Sequence, residues 1–175
     1  MEDIMKSVML SIKPKYCELI ANGKKTIEVR KTRPKIETPF KCYVYCTKEY
    51  YRKGNGYFQG KYCGKVIGEF VCDEIINLFA LSKFWYSDKI LSAGCLSPDE
   101  IRKYAVGADK LYGWHISNLV IYNKPKNLSE FITIRALDYD DWHYGLYDGS
   151  VTYEDYLKQF KLKRPPQSWC YCVGE

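Results

Sequence analysis

The sequence predicts an α+β chain: a small mixed β-barrel of five to six strands flanked by two or three helices. Three observations carry that prediction. Short segments with period-two alternation outnumber segments with helical periodicity. Gly, Pro and Asn punctuate them at short intervals. The length of 175 residues and a hydrophobic share of 46% suit one ordinary domain with a real core.

Val8 to Ile12 reads as a short buried strand, and Pro14 opens a helix in whose first turn its missing N–H costs nothing. Tyr16, Leu19 and Ile20 form the apolar stripe of that helix, and Asn22-Gly23 ends it. Thr26-Ile27-Glu28-Val29-Arg30 follows as a half-buried strand with Thr26, Glu28 and Arg30 on one face. Phe40 to Thr47 and Lys65 to Cys72 are further strands, with Gly68 marking a bulge or a close backbone approach. Lys53 to Gly56 is a turn. The pattern from Leu78 to Ile90 is ambiguous, whereas Ser97-Pro98-Asp99-Glu100 is a helix start. Gly113 to Tyr122 resembles one long strand terminated by Lys124-Pro125-Lys126. Residues 138 to 150 form an acidic, aromatic loop, a short helix spans Val151 to Phe160, and Trp169 to Val173 is a closing strand.

Composition narrows the function classes. No run approaches the roughly 18 apolar residues of a membrane span, and Met1 to Lys6 is too polar for a signal peptide, so a cytoplasmic protein without membrane partners is expected. Eight cysteines without an export route read as reduced thiols. Cys42 and Cys46 on one strand face would lie about 13 Å apart, too far to share a metal ion. Cys170 and Cys172 would need ligands from elsewhere, and Asp138 to His143 reads as a hydrated acidic loop. No metal site and no cofactor are therefore predicted.

Charge is distributed unevenly. Of the net +6, residues 1–65 hold 15 Lys and Arg against 6 Asp and Glu, and the remainder hold 12 against 15. Lys24, Lys25, Arg30, Lys31, Arg33 and Lys35 fall between residues 23 and 35, a density that suits a polyanion. Glu28 and Arg30, about 7 Å apart on one strand face, can pair with each other or jointly read a base edge. A salt-bridged strand edge decorated with solvating lysines is the competing reading of the same residues. Many of the 17 tyrosines, including Tyr43, Tyr45, Tyr50, Tyr51, Tyr57 and Tyr62, lie in the basic third. They suit either barrel packing or a single-strand surface.

Gly23-Lys24-Lys25-Thr26-Ile27-Glu28-Val29-Arg30, preceded by Leu10-Ser11-Ile12-Lys13-Pro14 and a helix, resembles the signature of the ASCH family. The resemblance is sharp over residues 8–30. It implies a PUA-like fold and a cleft, flanked by this motif, that takes RNA or a nucleotide. On that reading Lys24, Lys25, Thr26, Glu28, Arg30, Lys31 and Arg33 contact the ligand. Gly113-Trp114-His115 forms the opposite wall, with Trp114 stacking on a base beside His115; the competing reading packs Trp114 into the barrel and gives His115 a core hydrogen bond. Residues 1–175 then form one domain, with 137–165 an extension outside the family core.

Some compact relatives are amidohydrolases of acetylated cytidine that use a lysine, a threonine and a glutamate. Their lysine corresponds to Lys25, but Glu28 stands where their threonine would be, and no residue here matches their glutamate. A hydrolase would therefore need Glu28 as the base on a bound water and Lys25 to hold the developing negative charge. A third reading is a protein-interaction domain that docks a partner through Tyr139 to Tyr147.

Overall fold

A computed structural model describes residues 6–53, 56–59, 62–79, 87–133, 158 and 160–174. Its core is a six-stranded sheet in the order β10-β11-β1-β3-β6-β9, with a three-stranded sheet β2-β8-β7 and a two-stranded ribbon β4-β5. The strands are β1 (Ser7–Ile12), β2 (Ile27–Arg30), β3 (Phe40–Cys46), β4 (Tyr50–Lys53), β5 (Gly56–Gln59), β6 (Val66–Cys72), β7 (Ile75–Phe79), β8 (Lys110–His115), β9 (Ser117–Lys126), β10 (Phe131–Thr133) and β11 (Trp169–Gly174). The helices are α1 (Pro14–Ala21), α2 (Asp88–Gly94) and α3 (Pro98–Ala105).

The mixed α+β class stands, but the predicted barrel does not. Among the described residues β9 and β10 remain the edges of an open sheet, unpaired with each other, and the strands divide between sheets instead of closing one ring. The reason lies at Ile116. What reads as one strand from Gly113 to Tyr122 is two, because Ile116 donates its backbone N–H to Thr26 O and Asn118 takes a left-handed φ of 47°. β8 thereby joins β2 and β7, while β9 crosses to pair with β6. Nor does Pro125 end β9. The strand lies at the sheet edge, where a residue without an N–H interrupts no ladder on the open side.

Alternation sorts the apolar side chains into three layers. Val8, Leu10 and Ile12 of β1 and Cys42, Val44 and Cys46 of β3 face a core closed by Cys17 and Ile20 of α1 and by Trp114. Met9, Tyr43 and Tyr45 point the other way and pack with Phe131, Leu162 and Cys172. Ile27 and Val29 of β2 turn from the first core onto a third one with Leu78, Ile101 and Leu111. Glu28 and Arg30, at the intervening positions of β2, are left on the side of the large sheet.

Most strand boundaries agree with the sequence pattern to within one or two residues. Gly68 coincides with a register shift between β6 and β9, and a Cβ built there would stand 2.3 Å from Val120 O, so the close backbone approach is real. The β4-β5 ribbon around the predicted turn, together with β7 and β10, is additional. The expected Tyr139–Tyr147 docking loop, the 138–143 ligand types and nearly all of the helix over 151–160 lie outside the described residues.

Candidate functional site

The loop after α1 delivers Lys25. Gly23, with φ of 68°, turns the chain out of the helix, and Lys24 and Lys25 both donate backbone N–H groups to Leu19 O. Thr26 then donates to Ala93 O, docking the start of β2 against α2. The Lys25 ammonium reaches the C-terminal end of α2 and donates to Gly94 O at 2.6 Å, where helix carbonyls lack intrahelical donors and the dipole favours a cation.

Lys25, Glu28 and Arg30 form a buried trio, 2%, 7% and 7% exposed. Glu28 Oε2 lies 3.2 Å from Lys25 Nζ and Glu28 Oε1 lies 3.1 Å from Arg30 Nε. Arg30 Nε is nonetheless without an aligned hydrogen-bond acceptor among the described residues, so its contact with Glu28 is coulombic rather than directional. The terminal nitrogens of the guanidinium are used elsewhere. One donates to Ser11 O at 2.7 Å, and the other to Ser168 O and Oγ at 3.4 and 3.3 Å. Arg30 thus ties β2 to β1 and to the segment before β11, which Ser11 also holds through bonds to Ser168 O and Pro166 O.

The trio contributes to the lining of an open cleft of about 980 Å³. Ser11, Ile12 and Lys13 of the β1–α1 junction form part of its wall, as do Thr47 to Glu49, residues 165–168 and the cleft face of α3. Six lining residues are cationic (Lys13, Lys25, Arg30, Lys31, Lys48 and Lys103), against three acids, Glu28, Glu49 and Glu100. Two of those acids are already engaged at the rim: Glu49 with Lys13 at 3.3 Å and Glu100 with Lys15 at 2.7 Å. The Lys15 ammonium and the Ser97 donors hold the Glu100 carboxyl down at about 2.

The expected site residues separate into two groups. Lys25, Glu28, Arg30 and Lys31 converge on the cleft, whereas Lys24, Thr26 and Arg33 are exposed and do not line it. Trp114 is fully buried, with its ring 5.7 Å from Phe40 and 6.2 Å from Trp169, and is not available to stack on a ligand. His115 lies outside the cleft lining and pairs through Nδ1 with Asp73 Oδ1 at 2.7 Å. The expectation of an opposite wall fails because β8 is the hydrogen-bonded neighbour of β2, with Glu28 directly across from Trp114. Tyr104 of α3 is an aromatic on the cleft that the sequence pattern did not single out. Its position four residues after Glu100 in a well-signalled helix was the available clue.

Among the described residues no group of three or more His, Cys, Asp or Glu side chains is arranged to hold a metal. No helix there is long and apolar enough to cross a membrane.

Residues 10–75 match the family model described as "ASCH domain". The solved structure of ASCH from Zymomonas mobilis is similar over 94% of this chain and 86% of that one, at 18% identity and a TM-score of 0.58. Two point mutants of that protein give TM-scores of 0.55 and 0.56, each also at 18% identity. They cover 94% and 96% of this chain and 88% and 89% of theirs. No curated protein matches the chain significantly.

Proposed function

We propose, from a chain that carries an ASCH domain in a PUA-like fold, that the cleft binds RNA or a nucleotide-like anion. The observation that carries this reading is the buried trio. Lys25 and Arg30 bring two positive charges against the single carboxylate of Glu28, so the trio keeps a surplus of one positive charge beside the cleft. Buried charge is costly unless compensated. A phosphate in the cleft would supply the missing negative charge, and Lys13, Lys31, Lys48 and Lys103 extend the same field along the walls.

Binding is favoured over hydrolysis by what Glu28 already does. Each of its oxygens lies beside a cation, 3.2 Å from Lys25 Nζ and 3.1 Å from Arg30 Nε, which makes it the charge partner inside the trio. Lys25 is likewise engaged with Gly94 O.

Fluorescence anisotropy with a labelled single-stranded RNA, titrated across a range of salt concentrations, tests the reading. Affinity should fall steeply with salt. Lys48→Ala or Lys103→Ala should weaken binding while reducing the log–log salt slope by about 0.7 for each phosphate that the variant no longer neutralises. Salt-insensitive binding would overturn this reading, and turnover of acylated nucleosides that is lost in Glu28→Gln while the variant remains folded would replace it with the hydrolase.

A further inference from the structure

We infer that Tyr104 is a stacking platform for an unpaired base, so that the cleft takes single-stranded nucleic acid in preference to a duplex. The inference rests on the binding function proposed above and specifies its ligand class. Tyr104 lines the cleft and is 38% exposed, one of three large hydrophobic side chains exposed among the described residues. A second, Val106, follows two residues later at the end of the same helix. Aromatic surface left open to water beside a cationic wall is the combination that single-strand binding surfaces use.

The helix that carries the ring is set before any ligand arrives. Ser97 and Glu100 close a capping box at the start of α3, and Ile101 is fully buried beneath it. The Lys31 ammonium lies over the Tyr104 ring, 5.3 Å from its centre, and donates to Val106 O at 2.9 Å, so a base would stack on the other face of the ring. Tyr104 and the buried trio line the same cleft. A base lying on this ring would place its own phosphate within the field of Lys31 and Lys103. Inside a duplex both faces of a base are covered by its neighbours, so the platform favours an unpaired base that can leave its stack.

The test compares a short oligoadenylate, its duplex with oligouridylate and an abasic ribose-phosphate chain of the same length. On the wild-type protein the single strand should bind best, with the abasic chain about 5- to 150-fold weaker. Tyr104→Ala should weaken oligoadenylate binding by a similar factor without altering its salt slope, and Tyr104→Phe should stay near wild type. The abasic comparison uses only wild-type protein, so it holds even if the alanine variant folds poorly. Equal affinity for oligoadenylate and the abasic chain, or for single strand and duplex, overturns the inference while leaving anion binding intact. Failure of the wild type to bind any of the three overturns the inference together with the RNA reading on which it rests.

Discussion

Lys25 Nζ stands 3.2 Å from Glu28 Oε2 while both side chains are more than nine-tenths withdrawn from water. Three positions apart in sequence, they are brought together because the loop after α1 folds under α2 before β2 begins. Two ions so placed stabilise one another chiefly by removing the cost of leaving either alone.

Glu28→Gln should therefore destabilise the protein by about 3–5 kcal/mol, because it strands Lys25 and Arg30 as two buried cations. Urea denaturation measures it. A loss under about 0.5 kcal/mol, the range of ordinary surface substitutions, would mean that the trio is solvated and that its burial does not govern its energetics.

Gly68→Ala introduces a Cβ where Val120 O is 2.3 Å away, and a backbone oxygen in a sheet cannot move aside as a flexible side chain would. A stability loss of about 1–3 kcal/mol is expected, as for other overpacked sites. Because Gly68 and Val120 do not line the cleft, RNA affinity measured well below the melting temperature should stay at the wild-type value.

Glu100 has its carboxyl depressed from the usual 4.5 to about 2 by the hydrogen bond from Lys15 and by the Ser97 donors. A folded-state value below the unfolded one means that the stabilisation is fully present above about 4.5 and disappears as the pH falls through about 2. The stability gap between wild type and Glu100→Gln should accordingly narrow across that acid window and stay constant above it. Thermal melts at a series of acidic pH values read this directly, and a gap that widens on acidification would reverse the sign.

Burial pushes the Cys72 thiol up to about 12 and the Cys170 thiol up to about 11, and it raises Cys42 and Cys172 as well. Native protein treated with iodoacetamide at about pH 8.5, the ordinary thiol pKa, should leave these four unmodified, and unfolding should expose all of them. Peptide mass spectrometry distinguishes the two states. Rapid native labelling of Cys42 or Cys172 would show that the sheet opens locally.

The elements most legible in the sequence are those whose signal is local. Pro14 and Asn22-Gly23 bracket α1, Ser97 with Glu100 starts α3, and alternation through Ile27 and Val29 places Glu28 and Arg30 together. The same alternation puts Cys42 and Cys46 on one core face. What escaped is set by contacts distant in sequence. Nothing near Ile116 announces that its N–H will be taken by Thr26, and that bond determines which sheet each half of the segment enters. Trp114 reads equally as ligand platform or core residue until Phe40 and Trp169 are found against it. Lys24, Lys25, Lys31 and Arg33 share one charge run, but charge density carries no information about direction. Only Lys25 and Lys31 of these four line the cleft.

The hydroxyl of Ser11 is bonded to the carbonyl of Pro166, a partner 155 positions further along the chain. β1, β3 and β6 all lie within residues 7–72, whereas residues 165–168 of the cleft wall come from a part of the chain far from them in sequence. The cationic floor and the wall that encloses it are thus joined by contacts between distant stretches of sequence. A cleft walled in this way is complete only once the segment before β11 has docked on β1.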